Sequence, residues 1–156
     1  MPINTKESYI EIGTAVDSNN ELVNKLQLPA PISIPATDEF MADATRSNAT
    51  GAMIINKIGR TQYKSNITWG SLKNTTWWKI NRWFQKYGYV FYLKYFSHTD
   101  GRVKIHRFYR GNVTEPTTVG NVVISGINVP EYYKGCGFSV IDMGENNVKV
   151  IKELPV

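Results

Sequence analysis

The most informative pattern in this chain is a strand that is apolar on both faces. In residues 89–96 one face of the pleat receives Tyr89, Phe91, Leu93 and Tyr95, and the other receives Val90, Tyr92, Lys94 and Phe96. Side chains alternate across a sheet, so a strand with one side in water needs apolar residues on the other side only. The second face therefore needs cover of its own, from a helix or from another copy of the chain. A helix is legible just upstream. Trp77, Ile80, Phe84 and Tyr87 fall three and four residues apart, Trp83 widens the stripe, and Lys79, Arg82, Gln85 and Lys86 lie away from it. The spacing predicts a single helix over about 75–87, capped by Asn74 or Thr75 and ended by Gly88.

The rest of the pattern is β. Met53-Ile54-Ile55 opens it, Gly59 marks a bend, and Thr61, Tyr63, Ser65, Ile67 and Trp69 alternate with Gln62, Lys64, Asn66 and Thr68. Residues 97–101 read as a hairpin loop and 102–110 as the returning strand. Its even positions Arg102, Lys104, His106, Phe108 and Arg110 are mostly basic, which predicts that Val103, Ile105 and Tyr109 face inward, with Arg107 interrupting them. Beyond it come a polar loop at 112–120, a strand at 122–129, a turn at 128–131, a closing strand at 132–143 and an edge strand at 148–154. This order predicts an α+β domain, mainly antiparallel β, over residues 51–156. Residues 1–50 read as an N-terminal arm. Leu28-Pro29-Ala30-Pro31-Ile32-Ser33-Ile34-Pro35 spaces its prolines through apolar residues, which favours extended backbone. Its regular spacing predicts a strap laid on a neighbouring surface, preceded by a short helix near 20–26.

Composition narrows the class. With 156 residues, 42% hydrophobic and 20% charged, the chain has the material for one real core and not for wholesale disorder. No apolar run approaches the roughly 20 residues that cross a bilayer, so no membrane anchor is expected. Residues 1–7 lack a basic start and apolar stretch, so the expectation is folding in a cytoplasm. Cys136 is alone, which excludes an internal disulfide, and only His98 and His106 join it, too few soft ligands for a structural zinc site. Within Gly135-Cys136-Gly137 it reads as a small core residue. No nucleophile elbow, zincin pair or Walker loop is present, so no catalytic residue, metal or cofactor is expected and the chain reads as a non-enzyme.

Charge is unevenly spread. Residues 51–110 hold twelve basic side chains against one acid, Asp100, while residues 1–50 hold three bases and seven acids. Two readings follow: a nucleic-acid surface, or opposite charges meeting within or between subunits. The Arg102, Lys104, His106 and Arg110 set beside aromatic residues outlines a polyanion platform, although the bases are spread over several elements and no signature of a sheet-based RNA binder accompanies them. The adjacent Trp77 and Trp78 allow stacking on sugars or bases. Helical geometry favours Trp77 in the core and Trp78, about 100° round, against the sheet edge or a neighbour.

Taken together, several segments resemble small tail proteins of bacteriophages that infect Gram-positive bacteria. They are residues 51–58, then Ile67-Thr68-Trp69-Gly70-Ser71-Leu72 before the helix, and the Phe- and Tyr-rich strand with its Asp100-Gly101 turn. Phe108-Tyr109-Arg110-Gly111-Asn112 and the closing Gly137-Phe138-Ser139-Val140-Ile141-Asp142 continue the likeness, which spans roughly residues 26–143. The resemblance implies a tail-tube-like β-sandwich or barrel with one flanking helix, joined in rings, commonly of six. It implies a structural virion protein of a tail tube, tail terminus or baseplate, assembled in the host cytoplasm, with ring neighbours and other tail proteins as partners and a lumen through which DNA passes. Subunit contacts are then expected at Leu28, Pro29, Pro31, Ile32, Ile34, Trp78, Tyr92 and Phe96, with Arg102, Lys104, His106 and Arg110 facing the lumen or a polyanion. The long extension before Leu28 departs from the simplest tube pattern. The alternative is a phage-encoded single-stranded nucleic-acid-binding protein.

Overall fold

The structure, a computed structural model, describes residues 10–31, 38–39, 42–46, 53–57, 62–144 and 148–156. Four short strands open it: β1 (Ile10–Gly13), β2 (Ala15–Val16), β3 (Leu22–Val23) and β4 (Leu26–Gln27). Then follow β5 (Asp38–Glu39), β6 (Ala42–Arg46), β7 (Met53–Lys57), β8 (Gln62–Thr68) and β9 (Ser71–Lys73), the helix α1 (Asn74–Tyr87), and the long strands β10 (Val90–Ser97) and β11 (Arg102–Thr114). An excursion of β12 (Thr117–Val119), β13 (Val122–Ile124), β14 (Ile127–Val129) and β15 (Tyr132–Lys134) leads to β16 (Gly137–Asp142) and β17 (Lys149–Glu153). The architecture is α+β, mainly antiparallel sheet, with α1 as the helix among the described residues.

The main sheet runs in the order β4-β1-β10-β11-β16-β8-β5, with β17 also on β11. β16 pairs with β11 around residues 108–114 and β17 around 102–105, so these two strands lie end to end along one edge of β11. The sheet is open, ending in β4 on one side and β5 on the other. β10 sits inside it, antiparallel to β1 and β11, with Phe91 opposite Phe108 and Leu93 opposite His106.

The helix seals one face of this sheet. Its stripe forms as the spacing predicts: Trp77, Ile80, Trp83 and Phe84 are buried, and Lys79, Arg82, Gln85 and Lys86 are exposed. Phe84 meets Phe91 and Phe138 edge-on at ring-centroid distances of 5.1 and 5.2 Å, and Trp69 lies between Trp77 and Phe138. Burying each such ring contributes about 1.5–3 kcal/mol. Gly88 ends the helix at φ 97°, a conformation that a side chain would strain, and its N–H donates to the Phe84 carbonyl. The Asn74 side chain does take up a first-turn amide, its Oδ1 accepting from the Thr75 N–H at 2.6 Å, although Lys73 holds the position before the helix. Asn74 is instead the first helical residue, and its amide donates to the Pro130 carbonyl at 2.8 Å.

Residues 10–28 do not behave as an arm. Ile10, Ile12 and Leu28 belong to the core cluster, and β1 supplies a full inner strand next to β10. The predicted helix near 20–26 gives way to the β2–β3 hairpin. Asp17 Oδ1 accepts from the N–H groups of Asn19 and Glu21, and Asn20 and Asn24 take positive φ values, which a helix does not tolerate.

Residues 112–135 also differ from the pattern reading. β11 runs on to Thr114, and residues 122–129 form two strands paired Val122 to Val129 and Ile124 to Ile127. Their turn is Ser125-Gly126, at φ 51° and 78°, the paired positive values of a tight two-residue hairpin connection. The closing strand breaks at Gly135 and Cys136, whose backbone groups turn aside to Gly70 and Trp69.

Candidate functional site

Apart from Trp78, the predicted contact residues fall into three groups. Leu28 and Pro29 are engaged by their own chain: Leu28 is buried in the core, and the Pro29 carbonyl accepts from the Trp69 indole at 2.9 Å. Pro31 is half-buried, and Ile32 and Ile34 lie outside the described residues. Tyr92 and Phe96 are half-buried on the sheet face away from α1, where Val90 and Tyr109 are 47% and 41% exposed. Across this face Glu11, Lys94 and Ile105 form one row, with Glu11 and Ile105 buried, so the apolar ribbon is closed at that row and open towards Val90 and Tyr109.

The basic strand is turned the other way from its prediction. Lys104 stands opposite Tyr95, His106 opposite Leu93 and Phe108 opposite Phe91, so the even positions share the inner face and all three are buried. The alternation of charge was misleading because each buried polar group has a partner, the condition under which burial is tolerated. Lys104 Nζ lies 2.7 Å from Asp100 Oδ2. Burial alone would raise the Asp100 carboxyl, but Lys104 and the Ser97 hydroxyl outweigh it and hold the group below its ordinary range. His106 Nε2 shares a 2.7 Å hydrogen bond with the Tyr95 hydroxyl, and its Nδ1 is 3.5 Å from Asp142 Oδ1. This Tyr95–His106–Asp142 chain links β10, β11 and β16 and is sealed from solvent, so it ties strands together and offers no surface to a substrate.

At the two ends of the strand the cations are less enclosed. Arg102 makes an exposed pair with Glu153 at 3.1 Å, worth about 0–1 kcal/mol. The Arg110 guanidinium lies 4.4 Å from the Tyr89 ring and 4.9 Å from the Phe84 ring, and burial pulls its pKa down. Thus the four basic side chains expected on one platform are separated into two buried ties, one aromatic stack and one surface pair.

The structure brings together a site of which the sequence pattern singled out Trp78 alone. The outer side of α1 and the β13–β14 hairpin enclose a groove of about 450 Å³, lined by Trp78, Asn81, Arg82 and Gln85 on the helix and by Ile124, Ser125, Ile127 and Val129 on the hairpin. Trp78 is its fixed wall: the indole N–H donates to the Tyr133 hydroxyl at 3.0 Å, and the two rings meet edge-on. Beyond Trp78 and Arg82 lies a second hollow that includes Thr75, Thr76 and Lys79. The hairpin is strongly apolar yet open to water, with Val123 67% and Ile127 64% exposed. Residues 116–130 contain no charged side chain, whereas α1 carries Lys79, Arg82 and Lys86 and no acid. The Ser125-Gly126 dipeptide within an uncharged run is the signal that locates this hairpin in the sequence.

Among the described residues, no cluster of three or more His, Cys, Asp or Glu side chains is placed to hold a metal ion, and no helix is long and apolar enough to cross a membrane. Compared with protein-family models, with curated proteins and with solved structures, the chain matches none.

Proposed function

We propose that this chain is a structural subunit that assembles into a ring, of the kind a bacteriophage tail tube, tail terminus or baseplate uses. The observation that carries the reading is the sheet face opposite α1, where Val90, Tyr92, Phe96 and Tyr109 remain half-buried or exposed. An aromatic ribbon of this kind is stabilised by leaving water at about 25 cal/mol per Å², and a neighbouring subunit can supply that cover. The open sheet adds to it, since among the described residues it ends in β4 and β5, edges suited to continuation from one subunit to the next, as a tail-tube-like wall requires. The resemblance of the sequence to small tail proteins points the same way. Burial of Lys104 and His106 removes two of the four side chains that a single-stranded nucleic acid would meet, which favours the assembly reading over the binding one.

Sedimentation velocity of the purified chain tests this. A multi-subunit species is expected, reduced to monomer by Val90→Asp or Tyr109→Asp with little change in thermal stability. A wild-type protein that remains at 17.7 kDa at tens of micromolar overturns the proposal.

A further inference from the structure

We infer that the turn end of the β13–β14 hairpin is a shallow membrane anchor, which enters the interface of an anionic phospholipid bilayer while the cationic ridge of α1 lies on the headgroups. This goes beyond the assembly reading and does not depend on it.

The hairpin is apolar on both of its faces near the turn. Cross-strand pairing sets Val123 opposite Asn128 and Ile124 opposite Ile127, so Val123 and Ile127 point to opposite sides. Val123 is 67% exposed and Ile127 64%, and Ile124 is exposed as well. A partner protein docked on one side covers one of these faces and leaves the other in water. A fluid apolar phase around the turn covers both. The exposed side chains suit it, being short aliphatics without the rings that anchor a protein interface or stack on a base. Asn128, the one polar side chain of the paired strands, belongs to the second pair from the turn. From that pair to the turn is about 7 Å of strand, within the depth to which interfacial anchors sink. The positive φ values of Ser125 and Gly126 fix the shape of the tip beforehand, which limits the ordering cost of insertion.

Charge sets the kind of bilayer. Residues 116–130 carry no charged side chain, and the acids that flank them, Glu115 and Glu131, stand at the base of the hairpin. The Glu131 carbonyl accepts from the Asn74 N–H at the start of α1, and about 17 Å of extended strand separates Glu131 from the turn. Along the helix, Lys79, Arg82 and Lys86 follow at spacings of three and four, so they form one ridge on its solvent side, and α1 holds no acid. All three are exposed, and none makes an ion pair among the described residues. Arg82 lines the groove with Ile124 and Ile127, and Lys79 joins it in the hollow beyond Trp78, so ridge and turn belong to one continuous surface. Anionic headgroups meet such a ridge while the acyl boundary takes up the turn.

Vesicle co-sedimentation of the full chain tests this, with phosphatidylcholine vesicles that contain or lack phosphatidylglycerol. Wild type is expected to bind the anionic vesicles, and at least about tenfold more weakly the neutral ones or in about 0.5 M salt. Val123→Asp and Ile127→Asp are each expected to lose about tenfold in binding with an unchanged thermal melt. The double Thr variant at these positions, close in shape, covers the case in which an acid disturbs the fold. Arg82→Glu and Lys86→Glu are expected to weaken binding about fivefold or more each. Val90→Asp, which spoils the sheet-face contact, is expected to keep hairpin-dependent binding, so the two surfaces are read separately. Wild type that ignores anionic vesicles overturns the inference, as does binding that the hairpin variants leave unchanged. Complete loss of binding in Val90→Asp moves the contact to the sheet face and also overturns it. So does self-association, measured without lipid, that falls in the hairpin variants, since a second copy then covers the turn. A monomeric wild type that binds anionic vesicles through the hairpin sinks the assembly reading alone.

Discussion

The indole N–H of Trp69 donates to the backbone carbonyl of Pro29 across forty residues, at 2.9 Å, and this contact ties the N-terminal segment to the centre of the fold. Trp69 itself packs between Trp77 and Phe138, so the tie reaches the helix and the sheet together. Leu28, next to the acceptor, is buried in the same cluster.

Removing residues 1–31 is accordingly expected to unfold the protein, not only to disassemble it, because the sheet loses β1 and the core loses Ile10, Ile12 and Leu28. A milder change, Leu28→Ala, is expected to cost about 2–5 kcal/mol. Urea denaturation followed by tryptophan fluorescence measures both, and a truncated chain that melts cooperatively near the wild-type temperature contradicts the assignment.

The polar chain through Tyr95, His106 and Asp142 makes a separate prediction. His106→Ala removes the partner of a buried hydroxyl and a neighbour of a buried carboxylate, and leaves a cavity besides. The expected loss is about 3 kcal/mol, well above that of an exposed substitution. Differential scanning calorimetry reads it directly; a change under about 0.5 kcal/mol shows that the three side chains do not act as a tie.

Acid stability follows from Asp100. Its pKa in the folded state is depressed, so the stabilisation is fully present above the unfolded-state value of 3.8 and is lost as the pH falls through the folded-state value. The window therefore opens near pH 4 and extends below it. Asp100→Asn is expected to lower stability at neutral pH and to flatten the part of the acid limb below pH 4. Melting temperatures taken from pH 2 to pH 7 for both proteins test this, and parallel curves count against it.

Cys136 provides a probe of core integrity. It is buried, its thiol is pushed up by that burial, and the S–H lies 3.8 Å from the Tyr133 carbonyl. An aromatic disulfide reagent is expected to modify it only at the rate of unfolding at neutral pH, and at once in denaturant. Rapid labelling of the native protein argues that the β15–β16 junction is open.

How much was legible in the sequence depends on how local the determinant is. The α1 stripe was readable because Trp77, Ile80 and Phe84 follow helical spacing and need nothing distant to make sense. Both faces of β10 were recognisable for the same reason. The inward turn of Lys104 and His106 was not, because it depends on partners from β10, β16 and the 97–101 loop that alternation cannot reveal. Residues 10–28 read as an arm because the proline-spaced segment that follows them favours extended backbone, and only pairing with β10 shows that they complete a sheet. The groove beside Trp78 was hidden by the reading of 122–129 as one strand, which overlooked the Ser125-Gly126 turn.

The most direct measurement of the central claim is electron microscopy of the purified full-length chain. Annular class averages built from several equivalent subunits are the predicted result. A field of single particles of monomer size, unchanged at high protein concentration, contradicts the account.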